Sequence, residues 1–238
     1  MRVVFVHGAC VRDGAWWWHL TGGLLAERGV PSAAATLPSC GEAGPPPGPD
    51  GPGLPEDVAA LRELLRSSDE PTVVVAHSYG GIVTAEAAAG VDAVRHVLLI
   101  SSYLPEVGES LSSFSGDAPA PFLDLDPDGG TFGVRPDLLE PTFLHDCDPD
   151  TAAQAVARLA PQSLHVTRQP VHATAWPQVP STYLVCAGDR GTPADRQREF
   201  ARRAGAVVEL DAGHHPFLSR PAAVRDVVLG LEPGDRSR

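Results

Sequence analysis

The sequence predicts an α/β fold: about six mostly parallel strands with helices on both faces, and a helical cap inserted after the fourth strand. Three observations carry this reading. Short, continuous apolar runs rich in β-branched residues recur along the chain; segments with apolar residues at helical spacing alternate with them; and a proline- and aspartate-rich stretch interrupts the alternation once, from about residue 104 to 180. Continuous apolar strands separated by helices read as parallel βαβ units in a doubly wound sheet buried on both faces. The core is therefore assigned to residues 1–103 and 179–238, and the cap to 104–178.

Each element has its own signal. "RVVFVH" (2–7) is a buried strand, "AWWWHLTGGLLAERG" a helix ending at Gly29, and "VPSAAATLP" a weaker second strand. "CGEAGPPPGPDGPGLP" holds too many prolines and glycines for regular structure and reads as a surface loop. "EDVAALRELLRSS" places Val58, Leu61, Leu64 and Leu65 at helical spacing. "PTVVVA" is the third strand, "YGGIVTAEAAAG" a helix stopped by Gly90, and "VRHVLLISS" the fourth strand. Inside the insertion the clearest helix lies in "HDCDPDTAAQAVARLAP", with Asp148 as N-cap, Pro149 in the first turn and Pro161 beyond the end. Strand "STYLVCAG", helix "PADRQREFARRAG", strand "AVVEL" and helix "PAAVRDVVLGL" then complete the core before the polar tail "EPGDRSR".

Composition narrows the function classes. With 238 residues, 43 % hydrophobic and 20 % charged, the chain is long enough to bury a full core. Eighteen basic against thirty acidic residues give a formal charge of −12, which repels nucleic-acid phosphate, so no nucleic-acid partner is expected. No apolar window reaches the roughly 18 residues of a membrane span, and the N-terminal run is too short for a signal-peptide core. A cytoplasmic protein without a membrane partner is expected, monomeric or homodimeric. Cys10, Cys40, Cys147 and Cys186 are scattered without metal-ligand spacing and read as reduced packing residues. The cluster His145, Asp146, Cys147 and Asp148 is a poor metal site, because adjacent side chains rarely converge on one ion and Asp148 already serves as a cap. No metal and no cofactor are expected.

The chemistry centres on "VVVAHSYGG". A buried strand ends, Ser78 follows, and a helix begins, with the small residues Ala76 and Gly80 two positions to either side. Such a turn is a nucleophile elbow, which lifts the hydroxyl clear of the sheet at a helix N-terminus; the general pattern is GxSxG, and Ala76 stands for its first glycine. A serine that merely caps a helix is the plainer reading of the same five residues. Catalysis needs a base and an orienting acid. Among nine histidines, His214 lies in the loop after the last strand, at the carboxyl edge where ligands gather in open α/β sheets, with His215 as its immediate rival. Asp189 lies just beyond the preceding strand at the same edge; Asp195 and Asp211 fit worse. Asp189 as a helix cap and His214 as an ordinary loop residue remain the bland alternative. Two backbone N–H groups, of Tyr79 after the nucleophile and of Ala9 in the loop after the first strand, are placed to hold an oxyanion. His7 reads as a structural hydrogen-bonding residue at that loop, and His77 as structural too.

The segments "VVFVHGACVRDGAWWW", "VVVAHSYGG", "SSYLPEVGESL", "STYLVCAGDRGTP" and "GHHPFLSRP" resemble the α/β-hydrolase branch of plant salicylate-binding methylesterases, hydroxynitrile lyases and actinobacterial esterase-like proteins. The resemblance spans nearly the whole chain and is weakest from about residue 112 to 143. It implies the α/β-hydrolase fold, a Ser78–Asp189–His214 triad in that chain order, and serine esterase chemistry. The branch's H-x-x-x-L-x-x-P motif aligns the base with His214, and an acid followed by x-x-x-P aligns with Asp189. Hydroxynitrile lyases of the branch carry threonine and lysine where this chain has Gly8 and His215, which disfavours cyanohydrin cleavage. Ser78 in place of an aspartate nucleophile argues against an epoxide hydrolase or dehalogenase.

The reading is therefore a serine hydrolase that cleaves a small carboxylic ester, its activity rising with pH as a histidine base loses its proton. The alternative is a secondary-metabolite pathway enzyme using the same triad for hydrolysis, acyl transfer or cyclisation of a polyketide-like or carrier-bound substrate. The partner expected in either case is a small-molecule ester or acyl substrate. Trp17, Phe132, Phe143 and Trp176 are candidates for its pocket, although aromatic residues at such places equally serve as core packing.

Overall fold

The computed structural model describes residues 1–42, 44–115 and 118–231. The expected polar tail (232–238) and Ala43 of the expected loop lie outside them.

Strand β1 (Arg2–Val6) opens the chain. The long helix expected next is two, α1 (Gly14–Trp17) and α2 (His19–Ala26), broken at Trp18. Consecutive helical residues point about 100° apart, and here both Trp17 and Trp18 are buried. The break turns the Trp18 indole onto Phe5, stacked at 4.6 Å, and against Phe217 at 4.0 Å. After β2 (Ser32–Ala34) the proline-rich loop leads into α3 (Leu54–Arg66), whose first turn is closed by Glu56 accepting from Gly53 N at 2.7 Å. Strand β3 (Thr72–His77), helix α4 (Gly80–Ala87) and strand β4 (Val94–Ile100) follow as expected.

The insertion is not only helical. It holds β5 (Leu123–Asp126), β6 (Thr131–Val134), α5 (Pro136–Leu139) running into a π-helical turn at Glu140–Leu144, α6 (Pro149–Val156) and the two-residue β7 (Gln162–Ser163). The three strands form an antiparallel sheet in the order β5-β6-β7. They are too short and too polar to give a β-branched run, so periodicity missed them. Asp148 does cap α6, accepting from Thr151 N at 3.0 Å. The core resumes with β8 (Ser181–Cys186), α7 (Ala194–Ala201), β9 (Ala206–Leu210), the short α8 (Pro216–Ser219) and α9 (Pro221–Gly230).

Six strands pair in parallel in the order β2-β1-β3-β4-β8-β9. The period of two sorts their side chains between two cores. Val4, Val6, Val74, Ala76, Val97 and Leu99 enter the cluster that contains the α3 residues Val58, Leu61 and Leu65. Val3, Phe5, Val73, Val75, Leu98 and Ile100 enter the other, with Trp18, Leu25, Val224 and Val228 from the opposite helices. Each large aliphatic buried in this way contributes roughly 1.5–3 kcal/mol. Burial on both faces is why these strands read as unbroken apolar runs. Because β1, β3, β4, β8 and β9 all point the same way, the loops that follow them meet along one edge, and that edge builds the site.

Candidate active site

Ser78 sits between β3 and α4 with φ +49°, a left-handed conformation that a non-glycine residue adopts only where its surroundings hold it. Small neighbours make the turn fit. A Cβ on Gly80 would lie 2.8 Å from the carbonyl oxygens of Val6 and His7, so α4 can begin this close to β1 only with glycine there. A Cβ on Gly8 would come within 2.9 Å of His77 Nδ1 and 3.1 Å of Ser78 Cβ. The two loops thus touch, and Ala9 and Tyr79 border the same cavity as Ser78.

Asp189 and His214 meet from the ends of β8 and β9. Asp189, after β8, is buried, and its Oδ2 lies 2.7 Å from Nδ1 of the buried His214, after β9. The carboxylate also accepts from Gly191 N at 2.8 Å, Thr192 N at 2.9 Å, Gln197 Nε2 at 3.0 Å and the Ser101 hydroxyl. Burial alone raises a carboxyl's pKa. Here the charge and hydrogen bond of His214, then Ser101 and Thr192, outweigh burial and hold Asp189 below the ordinary aspartate value. Nδ1 donates to this carboxylate, which leaves Nε2 of His214 as the lone-pair nitrogen. Ser78 and His214 both face the cavity, with no hydrogen bond between them among the described residues; such contacts are often loose before substrate arrives. The Tyr103 hydroxyl interacts with Ser78 and Thr192.

His215, the rival base, is differently placed. Its Nδ1 donates to the Phe143 carbonyl at 3.0 Å, its ring packs 5.1 Å from Trp17, and burial, then the charge of His214, drive its pKa down to about 3. His77 donates from Nε2 to the His214 carbonyl at 3.0 Å, and burial lowers its pKa well below the ordinary value. Both rings are neutral supports of the loop that carries His214. Among the described residues, His77, His214 and His215 form the only group of three metal-type ligands, their nearest atoms within 4.8 Å of one another. Each of the three rings spends its one hydrogen-bonding nitrogen on a protein acceptor: His77 on the His214 carbonyl, His214 on Asp189 and His215 on the Phe143 carbonyl.

The loop after β1 is tied from outside. His7 is buried, with Nδ1 2.8 Å from Gly8 O and Nε2 3.0 Å from Glu42 Oε2; Glu42 also accepts from the N–H groups of Asp13, Gly14 and Leu37. Burial raises the Glu42 pKa, but the His7 hydrogen bond and charge prevail and the net shift is downward.

Above Ser78 lies a cavity of about 570 Å³. Trp17, Phe132 and Phe143 line it, together with Phe114, Phe122, Leu123 and Val134. Phe132 and Val134 are two apart on β6 and so share a face. Trp176 does not line it: its Nε1 donates to Pro105 O at 2.9 Å and its ring packs on the core beneath the insertion, so the expectation for that residue is corrected. Sequence reasoning also passed over Ser101, Tyr103, Gln197, Glu42 and Asp57. Two carried a signal: Ser101 ends an apolar strand at the carboxyl edge, and Asp57 interrupts the apolar stripe of α3.

The chain matches the Alpha/beta hydrolase family over residues 3–227. It is 28 % identical over 209 residues to Alpha/beta hydrolase nvfD of Aspergillus novofumigatus, covering 81 % of this chain and 82 % of that one. It is 25 % identical over 250 residues to Methylesterase 1 of Arabidopsis thaliana, covering 96 % and 94 %. Its fold superposes on a pyrethroid hydrolase from Sphingobium faniae JZ-2 with a TM-score of 0.82 at 20 % identity, over 96 % of each chain. It superposes on polyneuridine aldehyde esterase with 0.79 at 21 % identity, over 96 % and 97 %. No helix among the described residues is long and apolar enough to cross a membrane.

Proposed function

The chain belongs to the Alpha/beta hydrolase family, and from that membership and the surroundings of Ser78 we propose that it hydrolyses carboxylic esters of small lipophilic molecules through an acyl-enzyme. The observation that carries the reading is the Asp189–His214 pair at 2.7 Å, whose His214 lines the same cavity as Ser78, held at φ +49°. His214 Nε2 takes the Ser78 proton as Oγ attacks the ester carbonyl carbon. The N–H groups of Ala9 and Tyr79 hold the oxygen that becomes negative. The C–O bond to the alcohol then breaks, and the alkoxide leaves with the proton from His214. Water, deprotonated by the same nitrogen, attacks the acyl carbonyl, and Ser78 departs with that proton, which restores the enzyme. Asp189 stays ionised throughout and fixes the imidazole tautomer. In this scheme residues 104–178 act as the lid that shapes the acyl site.

The aromatic and aliphatic lining favours an apolar acyl or alcohol group. A second reading, a pathway enzyme acting on a larger acyl group, draws on the cavity's size and on Arg168 and Arg196 in its wall, which suit an anionic extension. A panel of p-nitrophenyl esters and matched acyl thioesters separates the two, with Ser78→Ala as control. Ester turnover that Ser78→Ala abolishes without changing the circular-dichroism spectrum is the expected result; turnover retained in that variant overturns the mechanism.

A further inference from the structure

A buried chain of hydrogen bonds runs behind the proposed oxyanion hole and reaches both of its sides. Asp57, on the core-facing stripe of α3, is fully buried. Its Oδ1 accepts from Ser39 N at 2.9 Å; its Oδ2 accepts from the Ser39 hydroxyl and, at 2.7 Å, from the Tyr79 hydroxyl. Ser39 Oγ accepts in turn from Gln162 Nε2 at 2.8 Å, and Gln162 Oε1 accepts from Cys10 N at 3.0 Å. Ser39, Tyr79, Gln162 and Cys10 are all buried too.

The chain begins on the side chain of Tyr79, whose N–H is one proposed oxyanion donor. It ends on the amide of Cys10, which directly follows the other, Ala9. Every proton along it points toward Asp57, so only a group with two accepting oxygens can terminate it. A leucine at position 57 would continue the apolar stripe and avoid the cost of burying a carboxyl group. Stability alone therefore does not explain this residue. Two of the non-glycine residues with positive φ lie at or beside these ends, Cys10 at φ +60° and Ser78, which precedes Tyr79, at φ +49°, conformations that persist only when their surroundings fix them. Gln162 belongs to β7 of the insertion and pairs with Phe132, a cavity-lining residue.

We propose that Asp57, Ser39 and Gln162 are positioning residues that hold the N–H groups of Ala9 and Tyr79 at the spacing an oxyanion requires, and that the small sheet of the insertion is tied into this device through Gln162. The proposal rests on the serine-hydrolase reading. Removing an oxyanion donor outright costs about 10²–10³ in kcat; loosening the pair costs less.

The test uses Gln162→Met, Tyr79→Phe and Asp57→Asn in the full chain. It measures kcat and KM on a p-nitrophenyl ester, and the affinity of an aryl trifluoromethyl ketone, whose adduct with Ser78 places a charged oxygen in the hole. We expect kcat to fall about 10- to 100-fold, KM to stay within about threefold, and ketone affinity to fall in step with kcat. Should Asp57→Asn not fold, the other two variants decide. Folded Gln162→Met and Tyr79→Phe proteins with kcat within about twofold of wild type, or a loss of kcat with unchanged ketone affinity, overturn the positioning role alone. A wild-type protein that neither turns over esters nor binds the ketone overturns the hydrolase reading as well.

Discussion

His214 and His215 are adjacent in sequence and opposite in circumstance. One ring meets a carboxylate that collects five donors; the other meets a carbonyl and a tryptophan face. That contrast has a consequence for stability. With a folded pKa of about 3, His215 stays neutral where an unfolded chain, at about 6.5, takes up a proton. Between those values the unfolded state binds more protons, so stability falls as pH drops and is fully present only above about 6.5. This single residue should cost about 2 kcal/mol between pH 7 and pH 5. Urea unfolding of His215→Phe at the two pH values should therefore show a smaller difference than wild type; an equal difference would mean that His215 takes up a proton in the native protein as readily as in the unfolded chain.

The hairpin β5-β6 and the π-helical turn Glu140–Leu144 are the elements that give the cavity its apolar wall. Phe132 is one of the large side chains that fill the space above Ser78, whereas Trp176 props the insertion against the core from outside. Phe132→Ala should raise KM for short acyl esters and shift preference toward bulkier ones, while Trp176→Phe should leave KM unchanged. A KM profile across acyl lengths checks both, and a Trp176→Phe effect as large as that of Phe132→Ala would contradict this assignment. These elements also mark where sequence reading runs out. The core strands were legible because burial on both faces forces an unbroken apolar run. A four-residue strand such as "LDLD" or "TFGV" has no such constraint, since its pairing is set by the hairpin and by what it covers. The break at Trp18 was likewise invisible, because it is made by Phe5 and Phe217, distant in sequence.

Across the whole molecule, the parallel sheet brings residues 78, 189 and 214 to one edge from three separate strand ends. Local patterns exposed them: an elbow, and two polar loops after apolar strands. The residues that hold them in place come from elsewhere. Ser101 and Gln197 reach Asp189 across 88 and 8 positions, and Gln162 reaches Cys10 across 152. No spacing rule names such partners; Ser101, at the end of an apolar strand, and Asp57, polar on an otherwise apolar helical face, signal a buried role but not what they bond. The proposed function turns on one event, the transfer of an acyl group to Ser78 Oγ. The most direct measurement is intact-protein mass spectrometry after brief reaction with a p-nitrophenyl ester and acid quench, followed by peptide mapping. A mass increase equal to the acyl group, located on Ser78 and absent from Ser78→Ala, is the predicted result; active protein without an adduct under single-turnover conditions, or an acyl group found on another residue, would contradict the account.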